Sequence, residues 1–355
     1  MILPTEPIGS IPRSPELLKV LRRFRDGLAT AAETAEAYDA ALQDTVRRFE
    51  STGSPVITDG EQRKSSFLTY PLDGLINIAA DGLVIPFEDG HTRQLPRLMK
   101  GPFRYRNYAV KYLQSARHYA NVPVKQAVIS ASALSLLYPA QGLADYSREQ
   151  FINDLVLEVA KDIRMCLEAG AHRVQIDFTE GRLAVKMDSS KALLRQFVEL
   201  NNRVLALFTP EQRKRIGVHT CPGGDHDSTH SADVDYAELL PDLFRLEAGN
   251  FYVQLASEKN PRRVLEIIKQ NLQPHQRVFI GVIDVLDNTL ETPETVRDRV
   301  LLAAEYIPPK QLGTTDDCGF SPFEDDTSTG RDLAFAKIRA RVLGTRMAGS
   351  EIRPI

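Results

Sequence analysis

The chain has no tryptophan, three cysteines and five methionines in 355 residues. Three cysteines are too few for a disulfide framework, so the thiols are expected to be reduced and the compartment cytoplasmic. No apolar run is long enough to span a bilayer, so no membrane partner is expected. The first six residues, Met1 to Glu6, lack the basic and apolar regions of a signal peptide. A net charge of -3 leaves no basic footprint for nucleic acid. What remains is an ordinary globular composition, 43% hydrophobic and 26% charged. We read it as a single domain over residues 1–355.

Strand and helix signals alternate along the chain. Short β-branched runs occur at 56–58, 124–130, 173–177, 216–219, 251–255 and 278–282, with a weaker one at 311–314 and another at 2–5. Helical periodicity lies between them. In 148–169 the apolar residues Phe151, Leu155, Val159, Ile163 and Leu167 recur at steps of four, and Gly170 supplies a stop. Stretches 233–246, 261–271 and 293–306 read as further helices, the last two opening on Pro. Eight strands alternating with helices predict an α/β fold of the (β/α)8 or TIM-barrel type; a doubly wound open sheet is the alternative. The segment 67–119, rich in Pro, Gly, Tyr and Arg, breaks the alternation. It reads as a hairpin and lid inserted after the second strand. The tail from Ala348 reads as surface chain.

In such barrels chemistry sits at the C-terminal ends of the strands. The predicted ends carry Ile8-Gly9-Ser10, Asp59-Gly60-Glu61, Ser130, Asp177, His219-Thr220-Cys221, Gln254, Asp284 and Asp317-Cys318-Gly319. His219 and Cys221 are two residues apart, so an extended segment points both to one side. With Cys318 from another strand end they make three N/S ligands with a fourth position open, the catalytic form of a zinc site. Thiolates disfavour magnesium and calcium. Unrelated packing of two buried thiols and a histidine is the competing reading. Cys166, on the 148–169 helix, reads as core or surface packing. The loop 223–230, with His226 and His230, reads as a mobile active-site loop.

Five motifs in order (Ile8 to Arg13, Asp59-Gly60-Glu61, Gln175-Ile176-Asp177, His219-Thr220-Cys221 and Asp317-Cys318-Gly319) resemble the catalytic C-terminal barrel of cobalamin-independent methionine synthase. The resemblance runs over nearly the whole chain. It implies methyl transfer to the thiol of L-homocysteine, with Zn2+ held by His219, Cys221 and Cys318. It implies a homocysteine pocket in which Ile8, Gly9 and Ser10 take the carboxylate and Glu61 and Asp177 the ammonium. The chain departs from the family in four respects. Gln254 stands where the fourth zinc ligand, a glutamate, is expected, with Glu258 the nearby alternative. Phe178-Thr179-Glu180 replaces the usual Glu-Pro-Ala after Asp177. The family's folate stacks on a tryptophan, and its full-length enzyme has two barrels. The resemblance therefore leaves the donor as methyl-folate, with or without an accessory protein, or a methyl-corrinoid.

A free alkyl thiol is mostly protonated at neutral pH, and binding to zinc deprotonates it. The donor's leaving group needs a proton, and Asp284 and His226 are the sequence's candidates for the acid. Three other functions stay open: alkyl or epoxide transfer to another thiol such as a sulfonated one, a metal-free decarboxylase on the same barrel, and a non-catalytic metal or thiol binder. A sulfonated thiol would want cations where this chain has Glu61 and Asp177, so the amino-acid thiol is favoured.

Overall fold

The computed structural model describes residues 1–352. Strands Gln126–Ile129, Val174–Asp177, Ile216–Thr220, Asn250–Val253, Arg277–Gly281 and Leu312–Thr315 form one parallel sheet in sequence order. Every residue in them except Arg277 is buried. That is the pattern of a parallel sheet covered on both faces, and it explains the continuous apolar runs in the sequence.

The expected strands at 2–5 and 56–58 shrink to single parallel bridges, Thr5 with Thr314 and Ile57 with Val124, one at each edge of the sheet. Pro4, Pro7 and Pro55 supply no N–H there, which prevents a longer ladder. The two edge segments also meet each other. Ile11 N donates to Gly60 O at 3.0 Å and Thr58 Oγ1 to Gly9 O at 2.8 Å.

The helices follow their caps. Arg148–Glu168 begins at a capping box, in which Ser147 Oγ accepts from Gln150 N and Gln150 Oε1 from Ser147 N. Cys166 lies buried in its core face, which decides between core and surface packing. Pro261–Asn271 and Pro293–Ala304 stand where the sequence puts them. The stretch 233–246 is no single helix. It is a 3-10 turn, Tyr236–Glu238, and a short helix, Leu240–Leu243, because Pro241 fits only the first turn of a new helix. The expected surface tail from Ala348 is also corrected. Helix Arg331–Glu351 runs through it, with Ala348 and Gly349 buried and the Met1 amine donating to Gly349 O. The last three residues lie outside the described ones.

Within 67–119 the hairpin is present, Val84–Pro86 paired antiparallel with Thr92–Gln94, next to a second pair, Ile78–Ala79 with Arg97–Leu98. The same segment holds a helix, Val110–Tyr119, that packs on Ala31–Ser51 and Arg148–Glu168. A buried carboxylate ties it down: Asp162 accepts from Tyr70 OH at 2.5 Å and Ala109 N at 2.7 Å. No helix among the described residues is long and apolar enough to cross a membrane.

Candidate metal centre and substrate cavity

Parallel register sets the site. Asp177 ends its strand directly beside His219 of the next, and Tyr252 pairs with His219 on the other side. Cys221 follows the strand Ile216–Thr220 by one residue, and Cys318 follows Leu312–Thr315 by three. All lie at the C-terminal ends of their strands.

Three ligand atoms, one each from His219, Cys221 and Cys318, lie within 4.8 Å of one another. The two sulfurs are 3.1 Å apart as free thiols. Both ring nitrogens of His219 are buried with no hydrogen-bond partner. A buried imidazole without a partner is destabilising in an apoprotein, and a metal ion that accepts its lone pair removes that penalty. The residues therefore fit a metal, and the N/S/S donor set suits a soft one. The hydrogen bond shared with Cys318, with the neighbouring His219, holds the Cys221 thiol well below its usual pKa. The same shared bond pushes Cys318 up. Burial works against a charged His219, but the Cys221 thiolate beside it turns the net shift upward.

Two glycines are dictated by this packing. A Cβ on Gly319 would lie 2.1 Å from Ser10 Oγ, and one on Gly223, already at φ +74°, would lie 1.8 Å from His230 Nε2.

A small cavity opens at the thiols. Ile8, Gly9, Ser10, Glu61, Asp177, His219, Cys221 and Cys318 all line it, so the expected substrate residues and metal ligands converge on one space. Glu61 sits at φ +55°, a conformation unfavourable for a side chain with a Cβ and held here by its neighbours. Its N–H donates to Asp59 Oδ1, and the buried Arg13 donates to the carbonyls of Glu61, Lys64, Ser321 and Phe323. Arg13 so clamps the loop after Ile57 to the loop after Cys318. Glu61 Oε1 accepts from Lys64 Nζ at 2.9 Å, a fully buried pair. Burial opposes the Lys64 charge, yet Glu61 and Asp59 raise its pKa. Burial pushes the Asp177 carboxyl up to about 6, although His219 opposes it.

The other expected site residues stand elsewhere. Gln254 is buried, with Nε2 donating to Ser257 Oγ and Glu258 Oε1 and its Oε1 without a partner. Glu258 is paired with Arg182 at 2.9 Å and does not join the three ligand atoms. Asp284 does not line the cavity, and its Oδ1 accepts from Leu286 N at 3.0 Å. His226, at φ +49°, lies against Arg93 and also lines no part of it.

A second small cavity adjoins the first, sharing Phe67, Thr179, Gly223 and Gly224. Its wall is largely apolar, with Phe87 and Leu95 of the inserted segment facing Leu136 and Leu183. Glu180 is its buried acid. Glu180 Oε1 accepts from Ser130 and Ser132, while Oε2 has no partner. Burial pushes this carboxyl up to about 7. Sequence reasoning noted Glu180 only as a departure from a motif and assigned no role to Gln175, Lys64 or Lys125. Their positions are set by contacts distant in sequence.

The chain resembles known proteins over its length. A protein named methionine synthase from Sulfurisphaera tokodaii is 23% identical over 359 residues, covering 99% of this chain and 94% of that protein. A 5-methyltetrahydropteroyltriglutamate–homocysteine methyltransferase from Trichodesmium erythraeum is 24% identical over 347 residues. That alignment takes in 95% of this chain but only 44% of the relative, so the chain spans under half of it. A B12-independent methionine synthase from Shewanella sp. W3-18-1, solved with selenomethionine, superposes with a TM-score of 0.75 at 19% identity, over 99% of each chain. A putative vitamin-B12-independent methionine synthase from Listeria monocytogenes gives 0.71 at 20% identity, over the whole of both chains. These likenesses establish a shared α/β fold. The family described as cobalamin-independent synthase, catalytic domain, matches residues 3–331, which include both thiols, His219 and every residue lining the cavity, and the chain belongs to that family.

Proposed function

We propose that the chain transfers a methyl group to the thiol of L-homocysteine, giving methionine, at a zinc ion held by His219, Cys221 and Cys318. The observation that carries this reading is the meeting of those three ligand atoms with Ile8, Gly9, Ser10, Glu61 and Asp177 around one cavity. We infer with it a closed (β/α)8 barrel, completed by the two edge segments, with the hairpin of 67–119 as a lid over its mouth. The bridges at Thr5 and Ile57 support the first inference. Contacts of the hairpin with the loop after Cys221, such as Glu88 N to Thr229 O at 3.0 Å, support the second.

Zinc in this site supplies a cation that lowers the pKa of a bound thiol and keeps it as thiolate at neutral pH. The chain's own groups orient the substrate. The 8–10 turn offers the Ser10 hydroxyl and backbone to a carboxylate, and Glu61 and Asp177 offer anionic oxygens to an ammonium. Glu61 Oε2 and Asp177 Oδ2 have no partner among the described residues. This acidic lining favours an amino-acid thiol over a sulfonated one. The thiolate attacks the methyl carbon, the S–C bond forms, and the bond from carbon to the donor's leaving atom breaks. Holding both partners in line is worth much of the barrier.

The names of the relatives favour a methyl-folate donor. The second cavity adjoins the thiol site and would be the donor's side of it, without a tryptophan for a ring system to stack on. Asp284 and His226 line neither cavity, whereas Glu180 lines the second. We therefore give the role of protonating the leaving group to Glu180, whose carboxyl titrates near neutrality. The free thiols at the centre suit a reducing compartment, the cytoplasm.

The test is a comparison of the wild type with Cys318→Ser, measuring bound zinc and methyl transfer from labelled methyl-tetrahydrofolate or methylcobalamin to homocysteine. Loss of zinc and of transfer together is the expected result. Retained zinc with full transfer would remove Cys318 from the centre, and transfer from the corrinoid alone would replace the donor.

A further inference from the structure

We propose that Lys125 and Gln175 form a positioning pair that fixes the orientation in which Asp177 meets the substrate's ammonium. The proposal rests on the reading of Asp177 as an ammonium acceptor and goes beyond it, because neither Lys125 nor the Gln175 amide has a role in that reading.

Gln175 and Asp177 are two apart on one strand, so their side chains share a face. Gln175 Nε2 donates to Asp177 Oδ1 at 2.7 Å. Lys125, just before the neighbouring strand, donates from Nζ to Gln175 Oε1 at 2.6 Å. Lys125 and Gln175 are fully buried. The two ends of a glutamine amide are opposite in character, a donor and an acceptor. Turned the other way, the amide would set its oxygen against the Asp177 carboxylate. Lys125 blocks that orientation by supplying a donor that only the amide oxygen can accept. Burial lowers the Lys125 pKa well below its usual value, but the amine donates N–H in either charge state. Around it lie the Tyr252 ring, 4.0 Å away, which offers a π face and no lone pair, and the charges of Asp177, Asp316 and Arg341, none of which hydrogen-bonds Nζ. The relay therefore has one direction, from Lys125 through Gln175 to Asp177 Oδ1. Oδ2 is left unpaired in a residue that lines the cavity.

A buried polar triad of this kind can also serve packing alone, and the two roles differ in what they change. A packing role alters stability and affects every ligand alike. A positioning role alters recognition of the ammonium and nothing else at the site. The experiment compares the zinc-loaded wild type with Lys125→Met and Gln175→Leu, near-isosteric variants that break the relay at different links. Calorimetry gives the affinity for L-homocysteine and for its des-amino analogue, which keeps the thiol and carboxylate. Zinc content and thermal unfolding are recorded for each protein.

The expected result is that homocysteine affinity falls about tenfold in whichever variant folds, while des-amino affinity stays as in wild type. Equal weakening of both ligands, or no change in either, would overturn the positioning role while leaving Asp177 as an ammonium acceptor. A wild type that binds both thiols equally would instead remove the ammonium role of Asp177, and the proposal with it.

Discussion

Asp317 holds Ser257 twice, accepting from its backbone N–H at 2.8 Å and from its hydroxyl at 2.7 Å. The other Asp317 oxygen accepts from Leu255 N and Ala256 N, each at 2.9 Å. The residue before Cys318 thus anchors the turn after Gln254, joining two strand ends of the site. Burial pushes the carboxyl up to about 6, and the four donors oppose that shift. Asp317→Asn puts an amide NH2 against these donors. A loss of about 2 kcal/mol of stability is expected, with weaker zinc retention as Cys318 is displaced. Denaturant unfolding and a competitive chelator measure the two. An unchanged midpoint with unchanged zinc affinity would mean that the turn does not depend on the carboxylate.

Arg93 carries the inserted hairpin. It pairs with Asp225 at 2.5 Å and Asp325 at 2.8 Å and lies 4.2 Å over the Phe323 ring, so it touches the loops that follow both thiols. Arg93→Met keeps the apolar stem and leaves the buried Asp225 with only the histidines His91 and His226 beside it. Faster amide exchange over 84–94 and a higher KM for the methyl donor are expected, with zinc content unchanged. A KM that stays at its wild-type value would separate the hairpin from donor binding.

Glu180 sets a pH dependence. Its folded pKa, about 7, lies above the 4.5 of the free side chain. The folded state therefore holds a proton that the unfolded state releases, and stability falls as pH rises from about 4.5 through about 7. Glu180→Gln has no such proton. The variant's stability relative to wild type should improve over that window, by on the order of 3 kcal/mol, and then level off. Urea titrations at several pH values test it. A difference that stays constant with pH would show that the folded carboxyl titrates normally.

Gly319 has no room for a methyl group. Gly319→Ala places a carbon against Ser10 Oγ, a short buried group that also accepts from Ser321 N at 3.1 Å. The Ser10 turn must shift, so homocysteine binding should weaken along with a stability loss of about 1–3 kcal/mol. Calorimetry and thermal unfolding would report both. Full affinity for homocysteine in this variant would exclude Ser10 from carboxylate recognition.

Much of this site is written in local sequence. His219 lies on one strand with Cys221 just past its end, and Asp317-Cys318-Gly319 follows another, so short motifs reveal them. Six of the eight expected strands form the sheet, as β-branched runs in a doubly covered parallel sheet require, and capping residues such as Ser147 mark helix starts. Local patterning misjudged the edges and 233–246, because prolines at 4, 55 and 241 limit ladders and helices that periodicity alone would extend.

The sequence by itself determined the alternation of strands and helices and the three candidate ligands, since each depends on residue type and short spacing. Only the tertiary structure decided that Lys125 speaks to Asp177 through Gln175, that Arg13 clamps two loops, and that Glu180, not Asp284 or His226, faces a cavity. Those relationships join residues far apart in the chain, and burial and distance, which make them matter, exist only once the strands are packed side by side.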